Sequence, residues 1–223
     1  MAQYGGLLTT TSGEVWVTAN SSPIALQARK TAALLGTSGF NTKVTHTFPS
    51  GQPVVAFVHC TVEVEITQTV SGNTITIDFL RPNATGTAYV YFFSIFPQTK
   101  PDYGMAVWDA SGTLILTHET RTLGDVVTIG TAGVDASSGY NINTTRAGKW
   151  ACMPVMLGLI TGVISAGGQP QPYSAIYKSM AKLEGSNTRI FARPQTTPTG
   201  SLQNVAYSNM RNVIMAINCV NYD

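Results

Sequence analysis

The sequence predicts an all-β chain built as two tandem sandwich-like domains, and three observations carry that expectation. Apolar residues recur with a period of two: in Thr61-Val62-Glu63-Val64-Glu65-Ile66-Thr67 the valines and the isoleucine share one face, and the Glu and Thr side chains share the other. Charged residues make up 11% of the chain against a typical ~25%, while 21 glycines and recurrent Ser and Thr give a polar, uncharged, loop-rich composition. A phrase also repeats, since Tyr4-Gly5, Ser12-Gly13 and Thr18 return 99 positions later as Tyr103-Gly104, Ser111-Gly112 and Thr117. Repetition at that period implies two copies of one building block.

A second echo agrees. Asn73-Thr74 and Phe79-x-Arg81-Pro82 return as Asn187-Thr188 and Phe191-x-Arg193-Pro194, at a larger offset that implies an insertion in the second copy. A chain of 223 residues accommodates two domains of about 100 residues each. Pro97-Gln98-Thr99-Lys100-Pro101-Asp102 is a polar, proline-flanked connector, which sets the expected domains at 1–98 and 101–223.

Thr9 to Gly13 turns a first hairpin between Leu7-Leu8 and Val15-Trp16-Val17. Ala25 to Leu35 carries a short helical pattern stopped by Gly36. Thr61 to Thr67, the turn Ser71-Gly72-Asn73 and Thr74 to Phe79 read as a second hairpin, followed by a buried strand from Tyr89 to Phe96. In the second copy, Gly104 to Trp108 and Leu114 to Thr117 flank the turn Asp109-Ala110-Ser111-Gly112, with Gly13 and Gly112 supplying the positive φ that such turns use. Trp16 and Trp108 are expected in the two cores. Ala151 to Ala166 is apolar but interrupted by Pro154, Gly158 and Gly162, and it is shorter than the ~20 residues of a spanning helix, so it reads as buried strands and not as a membrane insertion. Ala175 to Leu183 reads as a second short helix. Gly130–Gly139, Gly167–Pro172 and Asn187–Gly200 read as long exposed loops, where recognition would concentrate.

Chemistry-bearing patterns are sparse. The net charge of +2 comes from 13 basic and 11 acidic residues without runs, which argues against a nucleic-acid partner. Cys60, Cys152 and Cys219 show no CxxC spacing and sit among apolar residues, as buried thiols do. His46, His59 and His118 show no HExxH spacing, so no metal is expected, and His59 points to the opposite strand face from Cys60. Glu63 and Glu65 share a strand face and read as solvated. Phosphate-cradling GxxxxGK[ST] and dinucleotide GxGxxG motifs do not occur. The expectation is no catalytic residues and no cofactor. Met1-Ala2-Gln3-Tyr4 lacks the basic and apolar start of a secretion signal. Tyr140, Asn141, Tyr173 and Tyr177 are the candidate contact residues, since amphipathic rings dominate binding surfaces.

The phrase Tyr103-Gly104-Met105-Ala106-Val107-Trp108-Asp109-Ala110-Ser111-Gly112-Thr113-Leu114, followed by Arg121-Thr122-Leu123, resembles the opening of small proteins encoded beside tail-tip and tail-fibre genes of long-tailed bacteriophages. In that family a YG[apolar]xV[apolar][DN]xxG phrase begins a β domain. Tyr4-Gly5 through Pro23 is similar to it more loosely, with Thr10 in place of the Asp. The resemblance implies a structural virion protein of the distal tail, assembled in the host cytoplasm. Its implied partners are other tail proteins of hub and fibre, in a homo-oligomer whose threefold form would match the trimeric fibres and hubs there. It also implies contact with the host cell surface. The alternative is a receptor-binding adhesin for a surface glycan or pilus, and a head-decoration protein ranks below both.

Overall fold

A computed structural model describes residues 8–9, 15–17, 22–37, 41–130, 142–166 and 168–223 of the chain. Its described residues form eighteen strands and one short 3-10 turn, and the fold is all-β. Strands β1 (Leu8–Thr9) and β2 (Val15–Val17) make the first hairpin of the repeated phrase.

The centre of the fold is β5 (Val54–Cys60), flanked by β8 (Gly86–Ser94), which in turn pairs with β3 (Ala25–Leu34). A separate sheet of β4 (Asn41–Thr47), β7 (Thr74–Leu80) and β6 (Glu65–Ser71), in the order β4-β7-β6, covers one face of this trio. Alternation sorts the side chains between two cores. Ala56, Val58, Cys60, Ala88, Val90 and Phe92 point into the first core, against Val44, Ile66, Ile75, Ile77 and Phe79 of the covering sheet. Phe57, Tyr91 and Phe93 point the other way, into a core shared with Ala151, Ile217, Cys219 and Tyr222. Strands buried on both faces lose the apolar/polar alternation and read as continuous apolar runs, which is why Tyr89 to Phe96 is apolar nearly throughout.

The second half joins the same sheet. On the edge of β5 that β8 leaves free, one branch continues through β13 (Trp150–Cys152) and β18 (Ile214–Asn218) to β11 (Val127–Ile129). From the end of the same edge a second branch continues through β15 (Gln169–Glu184) and β14 (Met156–Ala166) to β17 (Leu202–Asn209). β16 (Asn187–Pro194) pairs with β15 and carries β12 (Asn143–Ala147) on its far edge. β5 meets β13 at Val58↔Cys152 and meets β15, in parallel, at Cys60↔Lys182. Met180 and Phe191 enter the first core. The division expected at 98–101 therefore does not fall between separate cores. The connector is itself pinned, with Gln98 N donating to Leu114 O over 2.8 Å.

Several expected elements take another form. Ala25 to Leu34 is a strand and not a helix, because it pairs with β8 from Ala25↔Ser94 to Leu34↔Gly86 and packs Ala28 and Ala32 against the first core. Tertiary pairing overrides the weak helix preference of its Ala, Leu, Gln and Lys residues. Ala175 to Leu183 likewise lies within β15. The segment Thr61–Thr67 is not one strand: β5 ends at Cys60, β6 begins at Glu65, and the four residues between turn the chain from one sheet to the other. Gln169–Pro172 and Asn187–Pro194 are strand, not loop. The expected loop Gly130–Gly139 lies outside the described residues except for Gly130.

Candidate functional site

The repeated phrase is a self-contained hairpin, β9 (Ala106–Trp108) paired with β10 (Leu114–Thr117). Its fixed positions have physical reasons. Gly104 has φ +101, and a Cβ there would lie 2.4 Å from ring atoms of His118, so only glycine fits between Tyr103 and that imidazole. The Asp109 Oδ1 accepts from the Ser111 amide (2.9 Å), the Ser111 hydroxyl (2.7 Å) and the Thr113 amide (2.8 Å). Gly112, at φ +82, closes the turn by donating its amide to Asp109 O over 3.1 Å. The D-x-x-G spacing is thus a side-chain-capped turn. The Arg121-Thr122-Leu123 step laces the segment to β3, since Leu26 N donates to Arg121 O and Leu123 N donates to Ile24 O, both at 2.8 Å.

All four residues of β10 are buried, with Ile115 and Leu116 packed against Val107, so the open part of the phrase is Trp108 and the residues leading into β9. Tyr103 is 82% exposed, Met105 47% and Trp108 48%. Trp108 is therefore not a core residue. The two-stranded sheet pairs with no further strand among the described residues. The side chain of Trp16 lies outside the described residues.

A charged seam joins the two halves. On one face of the β15–β16 hairpin Lys178 stands directly opposite Arg193, and Lys182 opposite Arg189, an arrangement of like charges that costs stability unless anions intervene. Glu63 and Glu65 supply them. Glu65 is buried, accepts from Arg81, and accepts from Lys178 Nζ over 2.9 Å, while Lys178 also donates to the Thr67 hydroxyl at 2.7 Å. Burial pushes the Glu65 carboxyl up, and the hydrogen bonds from Arg81 and Lys178 outweigh it, holding it below its ordinary value. Neither carboxylate is simply solvated, because the turn at 61–64 aims both at the cations of the second half.

The third cluster centres on Asp223. Its Oδ1 accepts from the Tyr91 hydroxyl (2.6 Å) and pairs with Arg29 (3.1 Å), and its Oδ2 accepts from Lys149 Nζ (2.7 Å). The Arg121 guanidinium donates to Asp223 O over 3.1 Å. His59 Nε2 lies 3.3 Å from the Tyr91 hydroxyl, and its ring stacks on Tyr89 at 4.7 Å, with the Arg29 guanidinium 5.4 Å from the Tyr89 centroid. Burial lowers the His59 pKa to about 4, so the imidazole is neutral at physiological pH. A cavity of about 380 Å³ opens beside Asp223, lined by Gly148, Lys149, Asn218 and Val220. Cys60 lies in the first core, Cys219 in the core of Phe57 and Tyr91, and Cys152 in a further cluster with Leu157, Ala181 and Ile190, and all three are free. Burial pushes the Cys60 thiol up, and those of Cys152 and Cys219 up to about 12, which keeps them protonated.

Of the four candidate contact residues, Tyr140 and Asn141 lie outside the described residues. Tyr173 and Tyr177 stand four apart on one face of β15 and are half-buried. The Tyr173 hydroxyl donates to Thr196 O over 2.7 Å, tying the 195–201 loop to the strand. Tyr177 packs against the core of Cys152, Leu157 and Ile190. The exposed aromatics among the described residues are instead Tyr103 and Trp108. The signal for them in the sequence is a pair of bulky residues on a hairpin too short to support a core of its own. Among the described residues no group of three or more His, Cys, Asp or Glu could hold a metal ion, and no helix is long and apolar enough to cross a membrane.

No family model, curated protein or solved structure matches this chain.

Proposed function

We propose that this is a structural protein of a bacteriophage tail tip or tail-fibre complex, an oligomeric adaptor that mediates assembly and host attachment. The observation that carries the reading is the β9–β10 hairpin. The phrase that resembles the tail-protein family folds as a separate, turn-capped hairpin that turns Tyr103, Met105 and Trp108 outward. Large exposed apolar side chains on a small rigid element suit a protein docked by its neighbours. The sparse surface charge is consistent with a surface that other chains cover.

The test is location. Antibodies against the purified chain should label the distal tail of intact particles, and the chain should be recovered in stoichiometric amount from purified tails. Labelling of the head, or absence of the chain from particles, would overturn the reading. The adhesin alternative differs in its consequence: the isolated protein itself would bind host cells, whereas the adaptor would not.

A further inference from the structure

Glu63 sits among three cations without hydrogen-bonding to any of them. Its Oε1 lies 3.9 Å from Lys182 Nζ and 4.0 Å from Arg189, and its Oε2 lies 4.0 Å from Arg193. These separations are those of ions attracted across a gap, not of a closed salt bridge. The cations are positioned by other bonds. Arg189 Nε donates to Asn143 Oδ1 over 2.8 Å and its guanidinium lies 4.2 Å from the Phe191 centroid, Lys182 pairs with Glu184 at 3.0 Å, and Arg193 donates to Pro194 O. All four side chains remain partly open to water, at 30% for Glu63 and 17% to 33% for the cations.

Charge along this face is unbalanced. Among the described residues Arg81, Lys178, Lys182, Arg189 and Arg193 meet the carboxylates of Glu63, Glu65 and Glu184 alone, while Asp78 on the adjoining sheet is engaged by Lys43 at 3.1 Å. The like-charge pairs Lys182↔Arg189 and Lys178↔Arg193 concentrate that excess on one hairpin. Guanidinium forks and an ammonium converging on a half-buried spot that water still reaches match the geometry of a tetrahedral or planar oxyanion.

We propose that Lys182, Arg189 and Arg193 form an oxyanion-binding cradle, selective for sulfate, phosphate or carboxylate groups, in which the Glu63 carboxylate is a built-in competitor. An incoming oxyanion gains the donors that Glu63 leaves unused, and it is opposed by the Glu63 charge. The cradle is a property of this hairpin and is independent of where the protein resides. The ligand group could arrive as a free ion or as a substituent of an acidic polysaccharide.

The experiment is calorimetric titration of the full chain, at constant ionic strength held with chloride, using inorganic sulfate and phosphate in one arm and dextran sulfate against neutral dextran in the other. Wild-type protein should bind at least one of the anionic probes. Glu63→Gln should bind it about tenfold more tightly, because a like charge a few ångströms away is removed. Arg189→Gln and Lys182→Met should lose most of the binding, with circular dichroism unchanged. Saturable binding of the inorganic ions identifies a general oxyanion site, and binding of dextran sulfate alone identifies a site for polymer-borne groups. The proposal is overturned if no anionic probe binds, if neutral dextran binds equally, or if folded Glu63→Gln binds no more tightly than wild type.

Discussion

The Tyr91 hydroxyl donates to the Asp223 carboxylate over 2.6 Å, joining residues 132 positions apart. Tyr91 is buried in β8 and its ring packs edge-on against Tyr222 at 6.5 Å, while the Asp223 carboxylate stays partly open to water. Arg29 of β3 and Lys149 reach the same carboxylate, and His59 of β5 reaches the same phenol. Asp223 thus gathers β3 and β8 directly, and β5 through the Tyr91 phenol, onto the end of the second half. The first half is tied to the second here by polar bonds and at the opposite face by the Glu63–Glu65 seam.

Replacing Tyr91 by Phe keeps the ring and removes the phenol. Asp223 retains Arg29 and Lys149, but loses a short charge-assisted bond in a half-buried setting, worth about 1.5 kcal/mol. Urea unfolding should show a lower midpoint with an unchanged slope. An unaltered midpoint would mean that the phenol contributes nothing to holding the halves together.

Acid should weaken the fold in two stages. Burial lowers the His59 pKa to about 4 from 6.5, with Lys149 and Arg29 adding to the shift and Asp223 opposing it. Folding therefore disfavours the charged form, so the contribution is intact above pH 6.5 and declines as pH falls towards 4, by about 3 kcal/mol in all. Glu65 and Asp223, held below their ordinary values by their cationic partners despite burial, contribute above the carboxylate range and lose that contribution as pH falls through their folded values. His59→Gln should flatten the stability profile between pH 4 and 6.5 while leaving the steeper acid limb. Stability measured by urea midpoint across that range decides it, and an unchanged slope in the variant would sink the assignment to His59.

The contrast between local and distant determinants explains which parts were legible in the sequence. Thr74 to Phe79 alternates in the chain and alternates in burial, and the turn at Gly72-Asn73 reads directly because Gly72 takes φ +58. The hairpin of the repeated phrase is equally local, with Asp109, Gly104 and Gly112 all acting within fifteen residues of one another. Ala25 to Leu34 misleads because its residues favour a helix in isolation and become strand only through β8, some sixty positions away. The seam was hidden for a related reason. Glu63 and Glu65 have the i, i+2 spacing of solvated strand residues, and only the distant pairing of β5 with β15 brings Lys178, Lys182 and Arg193 to them. Period-two patterning marks faces but carries no information about partners.

That dependence on partners makes the seam testable by a double substitution. Glu65→Leu alone leaves Lys178 and Arg81 with unmatched charge at a half-buried site, which should cost about 3 kcal/mol or more. Lys178→Met added to it removes the nearer orphan, so the double variant should be more stable than Glu65→Leu alone. The four corners of the cycle, measured by equilibrium denaturation, give the coupling directly. Additive losses would show that Glu65 and Lys178 act independently.

The hairpin separates stability from assembly. Met105 and Trp108 are close to half exposed, so Met105→Ser and Trp108→Ser should shift the unfolding free energy by no more than about 0.5 kcal/mol. If these side chains are docking residues, particles complemented with either variant should carry less of the protein, read by quantitative immunoblot of purified tails. Asp109→Ala provides the contrast, because it removes the acceptor of the Ser111 and Thr113 amides and should accelerate hydrogen exchange at those two positions. Incorporation should then fall with the loss of hairpin order, although every outward side chain is still present. Normal incorporation of Trp108→Ser and Met105→Ser together would remove the hairpin from consideration as the docking element.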